Sequence, residues 1–338
     1  MLGAGATVGA NFASSFKPGC KPPLNATFFT ELQRITEQKY RKLVSEVIKD
    51  AVELFGANFD LTLEDYFTQL EFLAEAVQLA PQSASAAITT SQLNEKRERL
   101  MHALSAVLEV STDAAIRTSA GCAHHKKLVQ ALEQKDSLIS FNYDCVLDHA
   151  LRMHGSAKWS AKYGYALPEP RRIEGYEHWD PPQPATESET VHLLKLHGSL
   201  NWQLPPDRTS PIKLKQRLYM QRGTPRFSVI PPVWNKAIAA NQNFQALWKN
   251  AERAIRAAEH VAVVGFSFAA TDLPVQSLFR VALARKRDLR TLVIANPSPD
   301  DRRRIRGVFA KPLQHGTVIR TYSDIGAFVD ALPDALGA

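Results

Sequence analysis

The chain has 338 residues, of which 45% are hydrophobic and 22% are charged, and its formal net charge is +7. This composition excludes a largely disordered or collagen-like protein, and the length allows one large domain or two modest ones. The sequence has no run of about 20 apolar residues and no secretion signal at its start, so we expect a cytoplasmic protein without a membrane span. The positive charge fits a polyanionic partner, a phosphate-bearing small molecule or simple solubility.

A glycine-rich loop opens the chain, with Gly3, Ala4, Gly5 and Thr7 preceded by only two residues. Phosphate-binding loops of this type normally connect a full strand to a helix, where backbone N–H groups can approach a pyrophosphate. A truncated sequence, a late start codon and a genuinely shortened strand would each explain the short lead. The alternative to a phosphate-binding loop is a flexible terminus.

Residues 28–134 have a helical pattern. Leu43, Val47 and Phe55 belong to a set of apolar residues that recur at intervals of three and four. Residues 62–65 have the character of a capping box, which predicts the start of a second helix, and a third helix is predicted at residues 93–108. We interpret residues 28–134 as a helical insertion in an α/β domain formed by residues 1–27 and 135–338.

From residue 135 onward, short apolar segments alternate with helical ones. Helices are predicted at residues 146–153, 244–258 and 274–285. Strands are predicted at residues 138–141, 192–196, 227–230, 261–264, 291–295 and 318–321. The alternation is typical of a parallel sheet covered by helices, so we predict an α/β fold with a Rossmann-like, doubly wound parallel sheet.

The stretch at residues 155–190 is predicted to be irregular and is rich in aromatic residues, including Trp159, Tyr176 and Trp179. It is too long for an ordinary connection between two elements. It is either a lid or partner-binding loop, or a packed excursion without chemistry.

Polar side chains follow four of the predicted strands. Asn142 and Asp144 follow the first, His197 follows the second, and Ser267 and Asn296 follow two later ones. Ligands of open parallel sheets bind outside the carboxyl ends of the strands, so we expect these residues to line one crevice. Taken singly, a structural histidine, a helix cap and a turn residue are the alternative interpretations.

In order and local pattern, these segments resemble the sirtuin family. The resemblance rests on Gly3-Ala4-Gly5, Asn142-x-Asp144, His197-Gly198, Gly265-x-Ser267 and Asn296. The strings around residues 141–144 and 196–202 are similar to those of a bacterial sirtuin-like branch found in antiphage defence. The resemblance spans most of the chain outside the helical insertion and implies NAD⁺ as the substrate.

The resemblance also implies a role for each matching residue. Gly3, Ala4, Gly5 and Thr7 would line the pyrophosphate, Gly265 and Ser267 the adenosine side, and Asn296 the adenine ribose. Asn142 and Asp144 would hold the nicotinamide end, with His197 beside the ribose. Asn142, Asp144 and His197 are the predicted catalytic residues.

The chain departs from deacylating sirtuins in two places. Those enzymes carry four zinc cysteines after the His-Gly strand, whereas residues 199–260 contain no cysteine. The three cysteines of the chain, Cys20, Cys122 and Cys145, are odd in number and far apart in sequence, so we expect neither zinc nor a disulfide framework. The Asp-Phe-Arg string that follows the glycine loop in the family is also missing, and Ala10-Asn11-Phe12 stands there instead.

The function expected from these residues is hydrolysis of NAD⁺ to nicotinamide and ADP-ribose, which would deplete cellular NAD⁺ during infection. Imidazole, with a reference pKa of about 6.5, can accept a proton near neutrality. Related defence proteins imply a homo-oligomer and a regulatory partner such as a HerA-like ATPase or an Argonaute-type protein, so nucleic acid would be involved only indirectly.

Three other functions stay open. The chain could be a non-catalytic NAD⁺ or ADP-ribose binding subunit of a defence complex, or a protein deacylase, which the missing cysteines disfavour. It could also be a nucleic-acid scaffold that uses the basic run at residues 302–304, where the alternative is the solvated face of a helix.

Overall fold

The computed structural model describes residues 1–12, 19–79, 88–113, 116, 121–167, 173–203, 212–216, 227–230 and 242–335. Its α-helices are α1 Ala4–Val8, α2 Phe28–Gln33, α3 Arg41–Phe55, α4 Leu63–Leu79, α5 Thr90–Leu108, α6 Ala123–Gln130, α7 Val146–His154, α8 Ala161–Gly164, α9 Gln242–Ala257, α10 Leu273–Leu283, α11 Pro299–Val308, α12 Ala310–Leu313, α13 Ile325–Asp330 and α14 Leu332–Ala335. Within these ranges, no helix combines the length and the apolar character that crossing a membrane requires.

The strands are short. They are β1 Ser137–Ser140, β2 His192–Lys195, β3 Gly198–Gln203, β4 Lys213–Leu214, β5 Phe227–Val229, β6 His260–Val264, β7 Thr291–Ala295 and β8 Val318–Tyr322. Strands β1 and β2 pair in parallel, and so do β6, β7 and β8. The central strand β7 is buried at all five positions, which explains its uninterrupted apolar sequence. The prediction of a mixed α/β fold with parallel strands is confirmed.

Leu2 joins the two parallel groups of strands. It forms parallel bridges with Ser140 at the end of β1 and with Val264 at the end of β6. Its N–H donates to the carbonyl of Ile139 at 2.8 Å, and its own carbonyl accepts from the N–H of Phe141 at 3.0 Å. The resulting order across the sheet is β2, β1, Leu2, β6, β7, β8, with every pairing parallel. The glycine-rich loop therefore starts at the centre of the sheet.

Strand β5 corrects one sequence-based expectation. We expected residues 227–230 to belong to the parallel sheet, but β5 pairs antiparallel with β3, which also pairs antiparallel with β4. The physical reason lies at Gly198, three residues after β2 ends, whose positive φ of 78° helps turn the chain. A parallel neighbour needs a long crossover connection, so β3 leaves the sheet and forms a separate small one.

The segment from α2 to α6 is helical in its described residues, as predicted. The capping box at the start of α4 is present, because Asp65 N–H donates to the Thr62 hydroxyl at 3.1 Å and Thr62 N–H donates to the Asp65 carboxylate at 3.1 Å. Helix α5 packs on α3 and α4 and continues into a π-helical turn at Glu109–Asp113. The apolar faces of these helices belong to the same core as the sheet.

The aromatic stretch at residues 155–190 is packed against the rest of the protein in its described part. Trp159, Tyr165 and Trp179 are buried. The N–H of Ala185 donates to the carbonyl of Trp159 at 3.0 Å, and this hydrogen bond joins two distant parts of the stretch. These contacts favour the packed excursion over a mobile lid for the described residues.

Candidate functional site

Two loops meet at the centre of the sheet edge, one after Leu2 and one after β6. Gly5 N–H donates to the carbonyl of Gly265 at 2.9 Å. A Cβ atom on Gly3 would lie 2.7 Å from the Gly265 carbonyl oxygen, and one on Gly265 would lie 2.1 Å from Ala6 N. Gly265 also has a positive φ of 59°. Glycine is therefore required at these positions for the two loops to approach each other.

Several loop amides are engaged within the protein. Gly3 N–H donates to Val264 O, and Ala6 N–H donates to Gly3 O. Ala4 is the exposed residue of the turn, and Thr7 is buried. The glycines thus bring two backbones together, in addition to any contact that the loop makes with a ligand.

Asn142, Asp144 and Thr7 form one hydrogen-bonded unit. The Thr7 hydroxyl donates to Asp144 Oδ2 at 2.9 Å, and Asn142 Nδ2 lies 3.0 Å from the Thr7 hydroxyl oxygen. Asn142 Nδ2 also donates to the carbonyl of Gly3 at 3.0 Å. The predicted nicotinamide-binding residues and the predicted pyrophosphate loop are therefore in direct contact.

The orientation of the Asn142 amide follows from these partners. A backbone carbonyl can only accept, so the NH₂ group of Asn142 must face Gly3, and Oδ1 faces the other way. Asn142 is 9% exposed, and its Oδ1 is buried without a hydrogen-bond partner among the described residues. A buried acceptor without a donor is costly, which is typical of a group that awaits a ligand or a water molecule.

Asp144 is held from three sides. Its Oδ1 accepts from Val146 N–H at 3.0 Å, at the start of α7, and its backbone carbonyl accepts from the Lys195 ammonium at 2.6 Å. Burial raises the pKa of Asp144 above its usual range, and the Lys195 charge acts in the opposite direction. Of the two roles expected for Asp144, these contacts are those of a residue that fixes the loop.

Lys195 supports this loop from β2. The ammonium is buried and contacts Asp148 Oδ2 at 3.0 Å, while Asp148 Oδ1 accepts from the Tyr165 hydroxyl at 2.5 Å. Burial would lower the pKa of Lys195, but the neighbouring Asp148, Cys145 and Asp144 raise it above its ordinary value. Lys195 therefore stays charged, and its contact with Asp148 joins β2 to α7.

His197 lies two residues beyond the end of β2 among aromatic rings. Phe141 packs edge-on against the imidazole with ring centres 5.3 Å apart, and Tyr143 stacks over it at 6.1 Å. Phe141 stacks in turn on Phe266 of the loop after β6, at 4.1 Å. His197 is 6% exposed, and its Nε2 lies 4.0 Å from Oδ2 of Asp272. His197 and Asn142 therefore flank Phe141 at neighbouring strand ends.

Ser267 and Asn296 lie toward the other end of the row. The Ser267 carbonyl accepts from the Arg304 guanidinium at 3.0 Å. Asn296 is buried, and its Oδ1 accepts from Ser298 N–H at 2.9 Å, just before α11. Since Asn296 follows β7 and His197 follows β2, the two side chains belong to strands four positions apart in the sheet order.

The site residues span five neighbouring strand positions, those of β2, β1, Leu2, β6 and β7. At about 4.8 Å per interval, the row is about 19 Å long. A row of this length suits an elongated ligand with two different ends better than a compact one.

Sequence reasoning missed Asp272, Tyr143 and Lys195. Asp272 precedes Leu273-Pro274, a pattern that indicates a helix start and conceals any other role. Tyr143 lies between Asn142 and Asp144, and Lys195 lies two residues before His197. A lysine in the middle of an apolar strand is a signal that could have been used, because buried lysines are rare unless they are paired.

Metal and thiol chemistry have little structural support in the described ranges. No group of three or more His, Cys, Asp or Glu side chains there is arranged to hold a metal ion. Cys20, Cys122 and Cys145 are buried as free thiols. Burial raises the pKa of Cys145 well above its ordinary value, so this thiol is a poor nucleophile although it neighbours Asp144.

Comparison with known families adds one match. Residues 136–313, which are just over half of the chain, match the family model of the SIR2-like domain. The matched range includes all the site residues from Asn142 to Asn296, whereas the glycine-rich loop precedes it. The sirtuin-like resemblance is confirmed at the level of the family. No curated protein matches the chain.

Proposed function

Because the chain belongs to the SIR2-like domain family, whose domains use NAD⁺, we propose that it is an NAD⁺ glycohydrolase. The reaction is cleavage of the bond between nicotinamide and ribose, with release of nicotinamide and ADP-ribose. The observation that carries the proposal is the row of strand ends, with His197 and Asn142 at one end and Asn296 at the other.

The dinucleotide would lie along this row. In the proposal, Gly3, Ala4, Gly5 and Thr7 face the pyrophosphate, and Gly265 and Ser267 face the adenosine side. Asn296 contacts the adenine ribose, while Asn142 and Asp144 hold the nicotinamide end. The strand order runs to one side from Leu2 through β1 to β2 and to the other side from β6 through β7 to β8. This reversal of order supports a doubly wound, Rossmann-like arrangement in which ligands bind at the reversal point.

The chemistry requires little acid catalysis, because nicotinamide leaves as a neutral molecule. His197 accepts a proton from the attacking water, and the buried Oδ1 of Asn142 accepts a hydrogen bond that orients this water or a ribose hydroxyl. Positive charge develops on the ribose in the transition state, as in other glycoside cleavages, and the Asp144 carboxylate favours that charge. The rings of Phe141 and Tyr143 exclude bulk water around His197.

The biological role that we propose is depletion of cytoplasmic NAD⁺ in antiphage defence. Such an activity must be controlled, so a homo-oligomer and a regulatory protein partner are part of the proposal. Residues 28–134, which we continue to interpret as an insertion, offer the helical surface for these contacts.

The test is nicotinamide release by the purified chain, measured with and without the product of a neighbouring gene. We expect His197→Ala and Asn142→Ala to reduce the rate by about 100-fold or more. His192→Ala is the matched control, because His192 begins the strand that His197 follows but is exposed. NAD⁺ binding without turnover in every oligomeric state would contradict the proposal and favour a non-catalytic binding subunit.

A further inference from the structure

Asp272 is a buried carboxylate beside His197, and the sequence did not predict it as a site residue. It is 6% exposed and lies at the start of α10, with Oδ2 at 4.0 Å from His197 Nε2. Four residues earlier in the chain, Phe268 packs against Phe266, which stacks on Phe141 beside the imidazole. The loop after β6 thus contributes both a ring and a carboxylate to the surroundings of His197.

The side chain of Asp272 does not perform the usual task of an aspartate at this position. An aspartate before a helix normally accepts a hydrogen bond from an amide of the first turn. Asp272 is the N-cap residue of α10, yet its side chain makes no such bond, and Pro274 stands at the second helical position. The carboxylate does not cap the helix, and its Oδ2 lies 4.0 Å from His197 Nε2.

The loop that carries Asp272 is fixed from two directions. Gln276 of α10 donates from its side chain to the Ala269 carbonyl at 2.8 Å. From the helical segment, Glu64 at the start of α4 accepts a hydrogen bond from the Thr271 hydroxyl at 2.8 Å. These bonds limit the positions that Asp272 can take, so its approach to His197 is a defined feature of the fold.

Other charged and titratable side chains near His197 are Tyr143, Glu64 and Lys195. Tyr143 stacks on the imidazole and donates its hydroxyl to the Ile230 carbonyl at 2.7 Å, and burial raises its pKa well above the ordinary value. Burial is the main cause of that rise, and the negative charges of Asp272 and Glu64 add to it. The Lys195 ammonium is directed to Asp144 and Asp148.

We propose that Asp272 is a positioning residue for His197, which holds the imidazole in place and stabilises the imidazolium that forms when His197 accepts a proton. The inference rests on the proposed function, in which His197 is the base. Oδ2 and Nε2 are 4.0 Å apart, so the carboxylate acts on the ring through its charge, which favours the imidazolium.

The decisive experiment is an NMR titration of the histidines in the full chain, for wild type and Asp272→Asn. The His197 signals are assigned by their loss in His197→Gln. A carboxylate at this distance favours the charged imidazole, so we expect the pKa of His197 to fall by about 1 to 3 units in Asp272→Asn. If Asp272→Asn does not fold, Asp272→Ser keeps a small polar residue at the helix start and is measured in its place.

Asp300→Asn is the matched control, because it removes one negative charge from an exposed carboxylate in the first turn of α11. Its effect on His197 is expected to be below about 0.3 units, since exposed charges are screened. An unchanged His197 titration in Asp272→Asn, or equal shifts in the two variants, would overturn the inference.

The pH profile of nicotinamide release separates this inference from the proposed function. His197 must be neutral to act as a base, so a lower pKa moves the acid limb of the profile to lower pH. The plateau rate should also fall by on the order of tenfold, because a weaker base accepts a proton less readily. Absence of turnover in the wild type would reject the proposed function, while the titration would still decide whether Asp272 and His197 are coupled.

Discussion

Two regions of the molecule bury charged and polar side chains, and they differ in how completely these groups are paired. Between α3 and α5, the Asp50 carboxylate contacts Lys96 at 2.7 Å through one oxygen and Arg99 at 2.7 Å through the other. Lys96 also contacts Glu53 at 3.1 Å. Every member of this network has a partner of opposite charge.

At the strand ends, the pairing is incomplete in places. Asn142 Oδ1 is buried without a partner among the described residues. A network that serves only stability closes on itself, because each unpaired buried group costs free energy. A residue that binds a ligand keeps some hydrogen-bonding groups unpaired until the ligand is present. The comparison therefore distinguishes a network that stabilises the fold from residues that act in a site.

The sharpest test of this comparison replaces one buried lysine in each region. Lys195→Met leaves the buried Asp148 carboxylate with the Tyr165 hydroxyl as its side-chain partner among the described residues, so we expect a loss of about 3 to 5 kcal/mol in the free energy of unfolding. Lys96→Met leaves Asp50 paired with Arg99, so the expected loss is about 1 to 2 kcal/mol. Chemical denaturation of both variants measures the difference, and equal losses would show that the pairing described here does not govern stability.

Two glycine substitutions test whether the site depends on the contact between the loop after Leu2 and the loop after β6. Gly265→Ala forces a Cβ against Ala6 N at a residue with positive φ, and we expect a loss of about 3 to 4 kcal/mol together with weaker NAD⁺ binding. Gly307→Ala is the control, because nothing lies within 4 Å of a Cβ at that position in α11. A gain of about 0.5 to 1 kcal/mol is expected there from helix propensity. Unchanged stability and binding in Gly265→Ala would contradict the loop contact.

Titration of the buried His125 also changes stability with pH and serves as a control for the pH measurements at the site. Burial lowers its pKa to about 4, whereas the unfolded chain titrates near 6.5. The folded state therefore binds fewer protons in this interval, and its stability falls as the pH decreases from 6.5 to 4, by up to about 3 kcal/mol. His125→Gln should flatten this part of the stability profile, measured by urea unfolding. Identical pH dependences in wild type and variant would show that His125 is not the responsible group.

Much of the fold was predictable because local patterns determine it. The apolar residues of β7 predicted the bounds of this strand correctly. Apolar residues that recur at intervals of three and four predicted helix α3. The position of Leu2 in the sheet could not be predicted from the sequence, because a segment of two residues is too short to show a hydrophobic period. Only its pairing with β1 and β6 makes it part of the sheet. The antiparallel pairing of β5 was missed for a similar reason, since it depends on a turn at Gly198 and not on the strand itself.

The site was predictable to the extent that its residues directly follow strands. Asn142 and His197 are found at neighbouring strand ends because parallel strands all end at one edge. Asp272 and the Lys195 ion pair depend on which side chains the tertiary structure brings together across 75 and 47 residues of sequence, respectively. Such contacts leave no local pattern, so only the structure could reveal them.

The double attachment of the Asn142 amide has a consequence for kinetic work. The same NH₂ group holds the loop proposed to receive the phosphates and sets the direction of the oxygen proposed to act at the sugar. A substitution at Thr7 that loosens the loop also reorients that oxygen. Under the proposed function, affinity and turnover are therefore linked through one planar group, and variants of the loop will change KM and kcat together.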